Sequence, residues 1–181
     1  MKKQSGALLM LALFMVFSCQ QTTQQEKAYF DCKSHFEKVI EALHSAGSVL
    51  QKTVWSDGRS ETVIIHTPDW KKELAPFMEL DINKPALRGM YDVRVEDRDS
   101  EIVTEYLSKD LNNPVSYLLV AQNRQEKVAR IKAICSTQNP YHASSDTLVF
   151  ESSGVYHIKA YSNPTLGKRI AFDVSGKILQ K

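Results

Sequence analysis

The second half of the chain leaves little room for any architecture but an antiparallel sheet. After Gly89 the residues fall into seven short segments of strand character: Tyr91 to Glu96, Ile102 to Leu107, Val115 to Gln122, Val128 to Cys135, Thr147 to Ser152, Val155 to Tyr161 and Lys168 to Val174. Tyr91, Val93 and Val95 alternate with Asp92, Arg94 and Glu96, the period-two pattern of a half-exposed strand. Ala129, Ile131, Ala133 and Cys135 share one face, with Arg130 and Lys132 opposite. Val115 to Ala121 is apolar on both faces, as expected of a central strand. The connections are too short for the crossover helix that a parallel pair requires. They also carry turn chemistry, in Ser152-Ser153-Gly154, Asn163-Pro164 with Gly167, and Ser175-Gly176.

The first half of the folded part adds two helices and a hairpin. Tyr29, Cys32, Phe36, Val39, Ile40, Leu43 and Ala46 recur at the three-and-four spacing of one helical face, and Gly47 supplies a stop. Val49 to Ser56 and Ser60 to His66 read as two strands around Asp57-Gly58, a strong hairpin dipeptide. Pro68 to about Leu80 reads as a second, shorter helix, with Thr67 as cap, Asp69 at its positive end and Trp70, Leu74, Phe77 and Met78 as its stripe. Pro76 lacks an N–H and collides with the preceding turn, so this helix is expected to be short or kinked. The order predicts an α+β domain: an N-terminal helix and a second short helix packed on a curved, mostly antiparallel sheet of about nine strands.

The chain of 181 residues begins differently from the rest. Lys2 and Lys3 precede an unbroken apolar run, Ala7 to Phe17. That run is about half the ~20 residues a helix needs to cross a bilayer core, and it reads as a secretory signal. It leads into Val16-Phe17-Ser18-Cys19, which resembles a bacterial lipobox, with Phe17 bulkier than the usual occupant. The resemblance implies cleavage before Cys19 and lipidation of that cysteine. Residues 1–18 are then the signal peptide, 19–27 a lipidated N-terminus with a polar tether (Gln20 to Lys27), and 28–181 the single domain. Several acyl chains would make the anchor effectively permanent, since each buried methylene contributes about 0.8 kcal/mol. Gln20 is not the aspartate associated with inner-membrane retention, so the implied address is the outer membrane of the cell envelope.

Processing changes the charge and cysteine counts. The formal charge of +2 belongs to Lys2 and Lys3, and without them 21 basic side chains face 21 acidic ones. A neutral domain has no field to attract nucleic acid. With Cys19 spent on lipid, Cys32 and Cys135 remain, both on core-facing sides, in an oxidising compartment. Two readings stand: a Cys32–Cys135 disulfide, or two buried thiols packing as small hydrophobes.

No catalytic or cofactor motif is present: no nucleophile elbow, phosphate loop, dinucleotide fingerprint, HExxH or CxxC. His35 and His44 lie nine apart, not at the four-residue spacing that places two metal ligands together, and His66, His142 and His157 are scattered. Glu96-Asp97-Arg98-Asp99-Ser100-Glu101 lacks the glycine of a calcium loop and suits a solvated turn. The reading is a non-enzyme, without cofactor or metal.

Asp69-Trp70-Lys71-Lys72-Glu73-Leu74, Phe77, Asp81-Ile82-Asn83-Lys84-Pro85-Ala86-Leu87, Asn139-Pro140-Tyr141 and the terminal strand pair resemble an uncharacterised family of Gram-negative lipoproteins, from about Thr67 onward. The resemblance implies no named activity and transfers no functional residue. Asp81, Asn83 and Lys84 form a polar cluster beside a rigid proline, suited either to bracing or to recognition. The expected function is an envelope lipoprotein that holds an apolar ligand in its curved sheet. The alternative is an interaction subunit of an outer-membrane or surface protein assembly.

Overall fold

The structure, a computed structural model, describes residues 27–139, 142–165 and 168–180. The lipobox, Cys19 and the tether before Lys27 lie outside them. Helix α1 (Cys32–Ser45) is followed by strands β1 (Val49–Ser56) and β2 (Arg59–Ile65), then by two single turns, α2 (Trp70–Glu73) and α3 (Ala75–Met78). A 3₁₀ turn at Pro85–Leu87 precedes β3 (Tyr91–Arg98), β4 (Glu101–Ser108), β5 (Val115–Asn123), β6 (Val128–Asn139), β7 (His142–Glu151), β8 (Val155–Pro164) and β9 (Ile170–Leu179).

All nine strands form one open antiparallel sheet in the order β2-β1-β9-β8-β7-β6-β5-β4-β3. Seven strands run as a meander, and the N-terminal hairpin closes onto the last of them through β1 and β9. Asp57 and Gly58 take φ of +50° and +74°, the left-handed pair of a tight hairpin turn. The expected α+β class therefore holds, with the sheet dominant and the helical part small.

One face of the sheet, here the inner face, carries the helical segments. Phe36 of α1 packs against Phe77 and Phe150 at ring separations of 5.2 and 5.1 Å, and Phe77 meets Tyr156 at 6.0 Å. Trp70, Leu74, Leu80 and Ile82 complete a buried layer over Leu50, Leu118, Val120, Ile131 and Leu148. Residues 66–90 thus run from one edge strand, β2, to the other, β3, across the inner face.

Four local expectations need correction. Asn163-Pro164 is not a turn but the end of β8, paired with Ala143 and His142, and Gly167 lies outside the described residues. The second helix breaks at Leu74, ahead of Pro76, into two turns, as expected from that proline. Its cap is Asp69 rather than Thr67, because the Asp69 carboxylate accepts from the Lys72 backbone N–H at 3.2 Å. Ser175-Gly176 is not a turn but lies within β9, opposite His157 and Tyr156. Gly176 is needed there for another reason. A Cβ on it would stand 2.1 Å from Cε1 of the fully buried Tyr156, whose ring lies over the glycine. Strands β6 and β7 also extend four and five residues beyond the expected ends, to Asn139 and from His142.

Candidate functional site

The inner face is not sealed from end to end. Beside the C-terminal half of α1, where it overlies the strand ends, lies a groove of about 660 Å³. Val39 and Leu43 of α1 form one wall, and Phe150, Ile178 and Leu179 form the other. Its polar side chains are few: His35, Gln180, and Ser152 and Ser153 in the β7–β8 turn. A mainly apolar concavity with a few polar groups is the usual construction of a small-molecule site, and this volume falls in the usual range of about 300–1,000 Å³.

The local sequence accounts for this arrangement. Asp31 caps α1 by accepting from the Ser34 N–H at 3.1 Å, and Gly47, at φ +58°, lets the chain leave it. Cys32 and Phe36 in the first turns are fully buried, whereas Val39, Ile40 and Leu43 are only half-buried. The apolar stripe therefore continues past the point where the core needs it, and its last turns face the groove. His35 is wedged beside Phe30 and Phe36, with ring separations of 5.7 and 5.1 Å. Burial, with the Lys38 charge adding to it, holds this imidazole below the ordinary histidine range, so it faces the groove uncharged at neutral pH.

A second depression of about 470 Å³ lies on the inner face on the α2 and α3 side, between Pro76 and the strands carrying Leu148, Tyr156, Ile158 and Phe172. It is more polar. Lys52 donates to Glu73 Oε2 at 2.7 Å, and the Tyr156 hydroxyl donates to the same oxygen at 3.1 Å. That network ties β1 and β8 to α2 and occupies its own polar groups.

The residues singled out from sequence divide in the structure. Asn83 is committed to bracing: its Oδ1 accepts from the Tyr29 N–H at 2.9 Å, and its Nδ2 donates to the Tyr29 and Phe30 carbonyls at 3.2 and 3.1 Å. Asp81 accepts from the Asn83 N–H at 2.9 Å, and Lys84 lies outside this knot, on a shallow surface with Lys33 and Glu79. Cys32 and Cys135 stand as free thiols, Cys32 buried and Cys135 half-buried. Burial, with Asp31, Asp81 and Cys135 adding negative potential, pushes the Cys32 thiol up to about 12. Burial, then Asp146 and Glu79, pushes Cys135 up to about 11.

Around the Glu96–Glu101 run, Glu96 pairs with Arg98 at 2.7 Å and Asp97 with Arg124 at 2.8 Å, as in a solvated turn. Among the described residues no three His, Cys, Asp or Glu side chains are grouped to hold a metal ion, and no helix is long and apolar enough to cross a membrane. The groove walls on β7 and β9 were not singled out from sequence. Their only signal was the inward parity of Phe150 and Ile178, which by itself reads as core. Compared with protein-family models, curated proteins and solved structures, the chain matches none.

Proposed function

We propose that this chain is a lipid-anchored envelope protein without catalytic chemistry, whose α1 groove takes the apolar portion of an amphiphile. The observation that carries the reading is the groove itself. Half-buried apolar residues of α1 face apolar strand ends across about 660 Å³, with neutral His35, Gln180 and two serines among the lining. Apolar surface left open in this way gains free energy by covering, about 25 cal/mol per Å² removed from water.

Curvature of the sheet belongs to the same reading. Laid flat, nine strands at about 4.8 Å spacing would be ~38 Å across. Yet residues of all nine belong to, or pack against, one connected apolar cluster that also takes in the helical segments, from Ile65 on β2 to Tyr91 on β3. A sheet bent around its helical layer would account for that and would hold the groove in its hollow. The anchor rests on the lipobox at Cys19.

The test is binding of a fluorescent long-chain polyene fatty acid to the protein and to Ala42→Trp. Ala42 is exposed at the groove border on α1, so the larger side chain fills the groove while leaving the core intact. Saturable binding lost in Ala42→Trp is expected. Equal binding by both proteins, or none by either, would overturn the assignment.

The interaction-subunit reading has one observation of its own. Among the described residues, edge strands β2 and β3 each leave one backbone edge unpaired, and Ile64, Val93 and Val95 on them are 58%, 48% and 66% exposed. Concentration-dependent self-association or co-purification of one stoichiometric envelope protein would favour it.

A further inference from the structure

The opposite, outer face of the sheet carries a third concavity, unrelated to the helices. It is an open trough of about 820 Å³ across β1, β9 and β8. The register explains its shape. Trp55 on β1 lies opposite Asp173 on β9, and Asp173 lies opposite Lys159 on β8. Two residues further along, Tyr161 on β8 lies opposite Ala171 on β9. Two aromatic side chains thus stand on strands separated by one other, roughly 10 Å apart at the backbone. Between them β9 contributes Asp173 and Ala171. The result is a trough flanked by rings, with a carboxylate and a small side chain on its floor.

Both rings are open to solvent, Trp55 at 43% and Tyr161 at 42%. That is unusual company for a strand face whose neighbours are Ser145, Thr147 and Lys159. Asp173 supplies the second observation. Its side chain is 33% exposed and its Oδ2 lies 3.4 Å from the Lys159 ammonium, so a carboxylate and a cation stand together within reach of ligand hydroxyls. The other oxygen, Oδ1, is buried and has no hydrogen-bond partner among the described residues. Arg169 closes one side, its Nε donating to Asn163 Oδ1 at 3.2 Å.

We propose that this trough is a carbohydrate-binding site for an uncharged pyranose oligosaccharide. The axial C–H faces of pyranose rings stack on Trp55 and Tyr161, and ring hydroxyls donate to the open Asp173 carboxylate oxygen, Oδ2, and accept from the Lys159 ammonium beside it. The chemistry disfavours the other classes. An acyl chain would strand Asp173, Lys159 and Arg169 against hydrocarbon. A nucleic acid would meet Asp173 and Asp57 along with the two cations, with no net basic surface. The site lies on the face of the sheet opposite the α1 groove, so the two proposals stand or fall separately.

Tryptophan fluorescence reads this site directly. The chain holds two tryptophans, and Trp70 is 1% exposed whereas Trp55 is not buried. The full chain, extracted in a sugar-free detergent, is titrated with chitohexaose, cellohexaose and maltohexaose up to millimolar concentration. At least one is expected to shift the emission to shorter wavelength and shield it from iodide quenching, saturably. Tyr161→Ala and Asp173→Asn are each expected to weaken that response about tenfold, while Trp55→Phe keeps binding by calorimetry and Trp55→Ala loses it. Unchanged urea midpoints for Tyr161→Ala and Trp55→Ala separate lost recognition from lost fold. Ala42→Trp, which adds a third tryptophan, is expected to bind the sugar with unchanged affinity by calorimetry. No response to any of the three sugars, or an undiminished one in the Trp55→Ala, Tyr161→Ala double variant, would overturn the proposal. So would shielding of Trp55 by phosphatidylglycerol vesicles but not by sugar.

Discussion

Gly176→Ala tests how tightly the inner face is built, because one methyl there has nowhere to go. Its Cβ would sit 2.1, 2.2 and 2.7 Å from Cε1, Cζ and the hydroxyl of Tyr156. Carbon contacts settle at about 3.5–4.0 Å, so the ring must retreat by roughly 1.5 Å. Tyr156 is fully buried and edge-on to Phe77, so retreat overpacks the aromatic layer, at about 1–3 kcal/mol. It also pulls the hydroxyl off Glu73, a hydrogen bond to a charged group worth about 1.5–3 kcal/mol. Together the expected loss is roughly 3–5 kcal/mol, read as a lower urea midpoint at unchanged slope, followed by the buried Trp70. Tyr156→Phe removes the hydrogen bond alone and should cost about 1.5–3 kcal/mol. Because both changes break the same bond, the double variant should cost less than the sum of the singles. A Gly176→Ala cost below about 1 kcal/mol, or strict additivity, would refute the reasoning.

Three further outcomes follow from the same geometry. Asn83→Ala strips three hydrogen bonds from Tyr29 and Phe30, so it should cost about 2–3 kcal/mol and accelerate amide exchange of Tyr29 well beyond that of core strands. His35 is held below its ordinary pKa, so the unfolded chain binds its proton first. The His35 contribution is complete above about pH 6.5 and is lost as pH falls below it, and His35→Gln should flatten that part of a stability–pH curve. Cys32 and Cys135, with thiols pushed up to about 12 and 11, should resist iodoacetamide at pH 8 and both alkylate, without reductant, once urea unfolds the chain. Alkylation of neither without reductant would reveal a disulfide instead.

The strands were legible where the two faces of the sheet meet different surroundings. Ile131 and Ala133 face the buried layer while Arg130 and Lys132 face outward, and the alternation is plain. Legibility failed past the helical layer. Ser136 to Asn139 and Ala143 to Ser145 pair with one another as strands, but none of them joins the apolar cluster that demands hydrophobic residues elsewhere. Gly176 misled for a related reason, since the cause of that glycine is a tyrosine on a neighbouring strand rather than a local turn. The pairing of β1 with β9 joins the two ends of the domain, and no local signal carries it. The α1 wall of the groove was readable as a helical stripe. The opposite wall was not, because Val128 on β6, Phe150 on β7 and Ile178 on β9 contribute it from three different parts of the chain.

Native mass spectrometry of the full chain, produced in a Gram-negative envelope and extracted in detergent, tests the central claim most directly. The account predicts a polypeptide that begins at lipid-modified Cys19 and retains a non-covalent apolar adduct, which Ala42→Trp lacks. A chain still carrying Met1 to Ser18, or a lipidated but bare monomer identical in mass pattern to its Ala42→Trp variant, would contradict it.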